Sequence, residues 1–253
     1  MKKYIKLFFA LGLIIIFSDS CSKKDAVSGL SVGNSFDLQA VGASAKDLLS
    51  ANTYTTLVIE IQYMPGYQPD AAAVNNLVNY INLLANKPGG ISVVQSALPS
   101  GAQSVYSLNQ VDSIAKIYRT KYTSGSQIAI NFLYVDGTYT TDNVLGFAYR
   151  NTSMALFGKK INTSSGGPGQ VTRTKLESTI LEHEMGHLLG LVNLGSPMQV
   201  NHEDATHEKH CTNSSCLMYW QVQTTGIMGP LMSGSIPTLD ANCRADLQAN
   251  GGK

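Results

Sequence analysis

Apolar and polar residues follow one another along this chain in blocks whose period changes several times. Lys2, Lys3 and Lys6 precede an unbroken apolar run over residues 7–17, and Ser18-Asp19-Ser20-Cys21 closes it. That run is too short to span a bilayer, which needs ~20 apolar residues. A positive start, a short apolar stretch and a polar end have the layout of an export signal. Residues 22–50 are rich in Ser, Gly, Ala and Asp with weak periodicity, and predict a tether with a short helix at Ala45–Leu49.

Beyond the tether the pattern sharpens. Residues 54–63 (YTTLVIEIQY) are β-branched and aromatic and predict a strand. In 70–85, Ala73, Val74, Leu77, Tyr80, Ile81 and Leu84 recur at helical spacing, and Pro88-Gly89-Gly90 stops that helix. Residues 91–98 predict a second strand. Leu108, Val111, Ile114, Ala115 and Tyr118 share one face of a helix over 107–122. Residues 127–135 (QIAINFLYV) predict a third strand, turned by Asp136-Gly137. Two short strands follow at 144–149 and 154–157, then a long helix over 171–191, and a short closing helix over 240–249. Helices after the first two strands favour right-handed crossovers and parallel pairing. The closely spaced later strands permit an antiparallel member. The pattern predicts one α/β domain of ~200 residues without internal repeats.

Composition narrows the class. Of 253 residues 43% are hydrophobic, which excludes wholesale disorder. The net charge of +1 argues against nucleic acid as a partner. Removing residues 1–20 takes away Lys2, Lys3, Lys6 and Asp19, leaving 15 basic and 16 acidic side chains. The segment around Cys21 resembles a bacterial lipoprotein signal, in which the cysteine becomes the lipid-bearing first residue. Ser20 fits that pattern, whereas Ser18 and Asp19 replace the more usual small or apolar residues. Ser22-Lys23-Lys24-Asp25 is similar to the loose lipoprotein signals of some Gram-negative bacteria. The resemblance implies export and a lipid anchor in the outer membrane, on its periplasmic face or the cell surface. It divides the chain into a signal at 1–20, a tether at 21–50 and a domain at 51–253.

All five histidines fall between His183 and His210. The long helix carries His183-Glu184-Met185-Gly186-His187. Residues four apart on a helix share a face, so both imidazoles can reach one metal ion, and Glu184 can reach a water held by that ion. This is the HExxH arrangement of two zinc ligands and a general base. It implies a hydrolase that attacks a peptide carbonyl with a metal-activated water. Catalytic zinc needs a third protein ligand. The candidates are His210, His202, His207, Asn193, and the carboxylates Glu203, Asp204 and Glu208. A downstream Glu ligand such as Glu203 or Glu208 would make a gluzincin-like peptidase.

Gly190 follows His187 by three residues, and His210-Cys211 begins an H-C-x4-C-x-M run that ends at Met218. HExxHxxG resembles the metzincin clan of zinc peptidases, and the later run is similar to the archaemetzincin signature. In the clan the third ligand normally stands three residues after the glycine, where this chain has Asn193. The resemblance implies His210 as third ligand, Met218 as the Met-turn residue beneath the zinc, and 192–209 as an insertion. It implies a twisted, mostly parallel five-stranded sheet with two packing helices, a zinc-binding active-site helix and a small irregular C-terminal subdomain. It also implies that 144–149 is an antiparallel edge strand binding extended peptide substrate, as in an endopeptidase.

Cys211, Cys216 and Cys243 remain once Cys21 carries lipid. An oxidising compartment favours a disulfide among them. Archaemetzincins carry a further CxxC that completes a second, structural zinc site. The matching stretch here is Cys243-Arg244-Ala245-Asp246, so a Cys3Asp zinc site is the alternative. Tyr219 and Trp220 read as cleft wall. A catalytically degenerate surface binding protein is the rival from another class, motivated by Asn193 and the insertion; the retained Glu184 counts against it.

Overall fold

Strands β1 (Thr56–Tyr63) and β4 (Gln127–Val135) are buried on both faces for most of their length, as strands covered on each side are. They occupy the middle of a five-stranded sheet of order β2-β1-β4-β7-β6, where β2 is Ile91–Ala97, β6 is Gly146–Arg150 and β7 is Ser153–Phe157. Pairings β1–β2, β1–β4 and β4–β7 are parallel, and β6 alone runs antiparallel. A two-residue pair, β3 (Val105–Tyr106) and β5 (Thr138–Tyr139), lies apart from it. The computed structural model describes residues 35–253. The expected signal and Cys21 lie outside the described residues. Among the described residues no helix is long and apolar enough to cross a membrane.

The short helix α1 (Ala45–Leu49) precedes the sheet. On one sheet face, Leu57, Ile59, Ile61, Ile130 and Phe132 pack with Leu77 and Ile81 of α2 (Ala71–Leu84) and Leu176 and Ile180 of α5 (Arg173–Leu188). On the other, Leu133 and Val135 meet Val111 and Ala115 of α3 (Leu108–Tyr118). Helix α4 (Gly158–Ser164) follows β7 directly, and α6 (Met228–Ser233) and α7 (Ala241–Ala249) belong to the irregular C-terminal region. The predicted sheet, its edge strand and its flanking helices are all present.

Helix α3 ends at Tyr118, earlier than the expected 122, because Glu60 captures the chain. Its carboxylate accepts from the Thr120 and Lys121 N–H groups and from the Thr120 hydroxyl. A buried carboxylate needs such donors, and they cannot remain helical while supplying them.

The expected tether over 21–50 is corrected for residues 35–50, which are packed into the fold. Leu48 and Leu49 are fully buried. Asp37 is 1% exposed and pairs with Arg119 at 3.2 Å. It also accepts from the Thr123 N–H at 3.0 Å and the Thr152 hydroxyl at 3.0 Å. Lys87 closes the end of α1 by donating to the carbonyls of Asp47, Ser50 and Tyr54. The segment's weak periodicity reflects docking through polar contacts instead of an apolar stripe.

Removing one partner of a buried ion pair leaves the other charge uncompensated. Asp37→Ala should lower unfolding free energy by about 3 kcal/mol, read from the urea midpoint of the full chain. A loss below about 1 kcal/mol would show that the pair behaves as a surface contact.

Candidate metal centre

Helix α5 starts where the Thr172 hydroxyl accepts from the Lys175 N–H at 3.3 Å. Every residue from Leu176 to Leu188 is buried, so each polar side chain there must find a partner or stand unsatisfied. Glu177 is satisfied by the Tyr134 hydroxyl, the Asp70 N–H and Arg173. Ser178 accepts from the Asn76 amide, and Thr179 donates to the Lys175 carbonyl. Glu182, His183, Glu184 and His187 remain.

His183, His187 and His210 come together, each offering a ring nitrogen within 4.8 Å of the others. His183 Nδ1 is 2.7 Å from the Leu217 carbonyl and His210 Nδ1 is 3.0 Å from the Glu208 carbonyl. Donation from each Nδ1–H turns the other nitrogen, Nε2, outward as a free lone pair. His187 and His183 bring their Nε2 atoms to 3.1 Å, close to the edge of a zinc tetrahedron, about 3.3 Å for Zn–N near 2.05 Å. His210 Nε2 is buried without a partner. Burial pushes all three imidazoles down, His183 to about 3, and mutual repulsion adds to the fall at His183 and His187. They are neutral at physiological pH, the state in which imidazole binds metal. An orphaned acceptor and three converging neutral imidazoles fit a zinc ion.

Glu184 lies beside this group and is fully buried. Its Oε2 accepts from the Ala148 N–H of β6 at 2.7 Å, and its Oε1 has no partner. Burial pushes the carboxyl up to about 8, opposed by the Ala148 N–H. A cation held by the imidazoles would pull it back down. Ala148 was part of the predicted edge strand, but its contact with Glu184 was not foreseeable, since no local pattern links residues 36 positions apart. A cavity of about 250 Å³ opens here, lined by Phe147, Ala148, Glu184, His187 and His210, with Val41 from the N-terminal segment.

The turn that frees the chain from α5 is a Schellman motif. The Leu191 N–H bonds the Gly186 carbonyl at 3.1 Å and the Gly190 N–H bonds the His187 carbonyl at 3.0 Å. Gly190 has φ +78°, and a Cβ there would lie 2.5 Å from the Ser196 nitrogen and 2.6 Å from Ala45 Cβ. Met218 is fully buried, and its Sδ would be 2.4 Å from a Cβ on Gly186, between the two helical histidines. It therefore packs against α5 beside the two helical histidines.

The other third-ligand candidates go elsewhere. Asn193 donates to Glu203 at 3.1 Å, and Glu203 also accepts from the Lys209 N–H. His207 bonds Asp204 at 2.9 Å and stacks on Trp220, with centroids 4.1 Å apart. His202 bonds Asp246 at 2.8 Å. The carboxylates Glu203, Asp204 and Glu208 contribute no donor to the histidine group.

Cys211, Cys216 and Cys243 form a second group, all buried and free, with Asp240. Cys216 and Cys243 Sγ are 3.7 Å apart, and Cys211 Sγ is 3.3 Å from Asp240 Oδ2. The Cys211 and Cys243 thiols act on Cys216 as hydrogen-bond donors and push its thiol down. The carboxylate expected at Asp246 is corrected to Asp240, the N-cap of α7. Asp246 instead holds His202 and the Gln199 N–H. On α7, Asp246 and Cys243 are near neighbours, but Asp246 bonds the 199–202 segment of the insertion and so leaves the sulfurs. The signal for Asp240 was its place three residues before Cys243, the spacing of an N-cap.

No protein-family model matches the chain, and no curated protein matches it. Among solved structures it is similar to the archaemetzincin of Methanopyrus kandleri, at 15% identity and a TM-score of 0.48, over 79% of this chain and 96% of that one. It is also similar to metalloproteinase-II from Bacteroides fragilis, at 16% identity and a TM-score of 0.42, over 86% of this chain. The chain spans 59% of that protein's length.

The Gly190 geometry yields a direct expectation. Gly190→Ala adds a Cβ against backbone in the left-handed region, so it should cost about 2 kcal/mol or more in urea denaturation. A cost within about 0.5 kcal/mol would mean that the turn relaxes and does not fix the path toward His210.

Proposed function

We propose that the chain is a zinc-dependent peptidase. The observation that carries this reading is the convergence of three neutral imidazoles, two with an orphaned ring nitrogen, beside a buried Glu184 with one free oxygen. His183, His187 and His210 would hold the ion. Bound there, zinc would supply Lewis acidity toward a carbonyl oxygen and lower the pKa of a bound water. Glu184 Oε1 takes the proton of the attacking water and later returns it to the leaving amine, while the Ala148 N–H holds Oε2 and fixes the carboxylate's direction. Met218 packs against α5 beside the two helical histidines.

Strand β6 ends the sheet beside the cavity, and an extended peptide can add there as a further strand. This supports peptide or protein as the substrate, and an open strand edge suits internal cleavage. The absence of any donor from Glu203 or Glu208 weighs against the gluzincin-like alternative. The intact base weighs against a degenerate binding protein.

We infer a second zinc at Cys211, Cys216 and Cys243 with Asp240. Zn–S bonds of about 2.3 Å place ligand sulfurs about 3.8 Å apart in a tetrahedron, and the 3.7 Å Cys216–Cys243 distance matches that better than a disulfide. The site pins both ends of the loop between His210 and Met218. We also propose that residues 1–20 are an export signal and that Cys21 carries lipid, anchoring the enzyme to the outer membrane. The basic start, the short apolar run and Ser20-Cys21 support this.

Glu184→Gln should retain zinc and lose peptide hydrolysis by about a thousandfold or more. His210→Ala should lose the catalytic ion, whereas His207→Ala should keep it. Hydrolysis by the purified Glu184→Gln protein would sink the mechanism. Elemental analysis of the purified full chain should find about two zinc ions, and Cys243→Ser should lose one of them. A ratio of one, with a Cys216–Cys243 disulfide in peptide mapping, would overturn the second site.

A further inference from the structure

Glu182 is the one polar side chain of buried α5 that neither the metal centre nor the core explains. It is 8% exposed, and among the described residues its carboxylate has no hydrogen bond or ion pair. It lines a cavity of about 110 Å³ on the side of α5 that faces α2. The other walls are Tyr80, Leu83 and Leu84 of α2, with Thr238, Leu239 and Arg244 from the C-terminal region. The Tyr80 hydroxyl is buried and likewise without a partner. Leu83 stands 73% exposed at the rim.

A buried hydroxyl without a partner costs about 1–3 kcal/mol, and the Glu182 carboxylate beside it has no protein donor. Proteins leave such groups unpaired chiefly where a ligand or water completes them. The chemistry selects the ligand. A carboxylate accepts, and a tyrosine hydroxyl can accept as well as donate. The complement is a positively charged donor with several hydrogens, carried on an apolar stem that fits leucine walls. An ammonium group on a methylene chain has this form. The volume suits it, being smaller than a cavity of about 150 Å³ that holds benzene. Arg244 lines the same cavity and, among the described residues, makes no ion pair with Glu182.

We propose that this cavity binds a primary alkylammonium group, with Glu182 as counter-ion, Tyr80 as second polar contact and Leu83, Leu84 and Leu239 around the stem. The ammonium comes from a free amine or from a lysine side chain presented on a peptide. The site stands on the face of α5 turned away from the imidazoles and does not depend on the metal reading.

Leucine-methyl NMR of the zinc-loaded full chain tests it, with n-butylammonium, Nα-acetyl-lysine methylamide and n-butanol as probes. Saturable shifts at Leu83, Leu84 and Leu239 with either ammonium probe, but not with butanol, are expected. Glu182→Gln should weaken that binding at least tenfold, and Tyr80→Phe should weaken it severalfold. Tighter binding of the lysine probe assigns a peptide-borne source, and tighter binding of butylammonium assigns a free amine. Equal shifts with butanol would reduce the site to an apolar cavity and overturn the proposal. Unchanged affinity in both variants, or no saturable shift at millimolar probe, would overturn it too. If Glu182→Gln does not fold, Tyr80→Phe and the butanol comparison still decide.

Discussion

Helix α5 is enclosed on every side, and that enclosure sets the terms for the rest of the structure. An exposed helix can leave polar side chains to water. A buried one must satisfy each of them from its own surroundings, at a cost of about 1–3 kcal/mol wherever it does not. Glu177, Ser178 and Thr179 obtain their partners from α2, β4 and the helix itself. What is left after that satisfaction is the chemistry: two imidazoles, a carboxylate with a free oxygen, and Glu182 on the opposite side. The sheet in front, α2 alongside and the 210–218 loop behind all serve to exclude water from this one element.

Much of this was legible in the sequence because the informative elements repeat. Strands 54–63 and 127–135 and the helix over 70–85 carry long apolar periods, and their ends moved by no more than a few residues. The HExxH pair was equally clear, since helical geometry fixes its two imidazoles without reference to anything distant. His210 and Met218 were singled out by resemblance; in the fold the Leu217 and Glu208 carbonyls orient His183 and His210.

What stayed hidden has a common cause. Asp37 and Arg119 lie 82 residues apart, so nothing local distinguishes a buried Asp from a solvated one. The short α4 begins on a glycine and carries two lysines, and the two-residue pair β3–β5 is below the length at which alternation can be seen. Asp240 and Asp246 both stood near Cys243. Which of them joins the sulfurs depends on His202, which belongs to an insertion with no periodicity of its own. Long-range polar pairing leaves no trace in a hydropathy pattern.

The path from Gly190 to His210 carries one more implication. Two donors are present as soon as α5 winds, but the third arrives only when about twenty intervening residues have folded back. An ion gripped by all three would act as a cross-link that closes a loop, and part of its binding free energy would go to the entropy of that closure. The left-handed glycine, the buried Ser196 and the sulfur cluster at the far end prepay much of that entropy. Affinity for such an ion would depend as much on the stiffness of a loop as on the nitrogens that touch it.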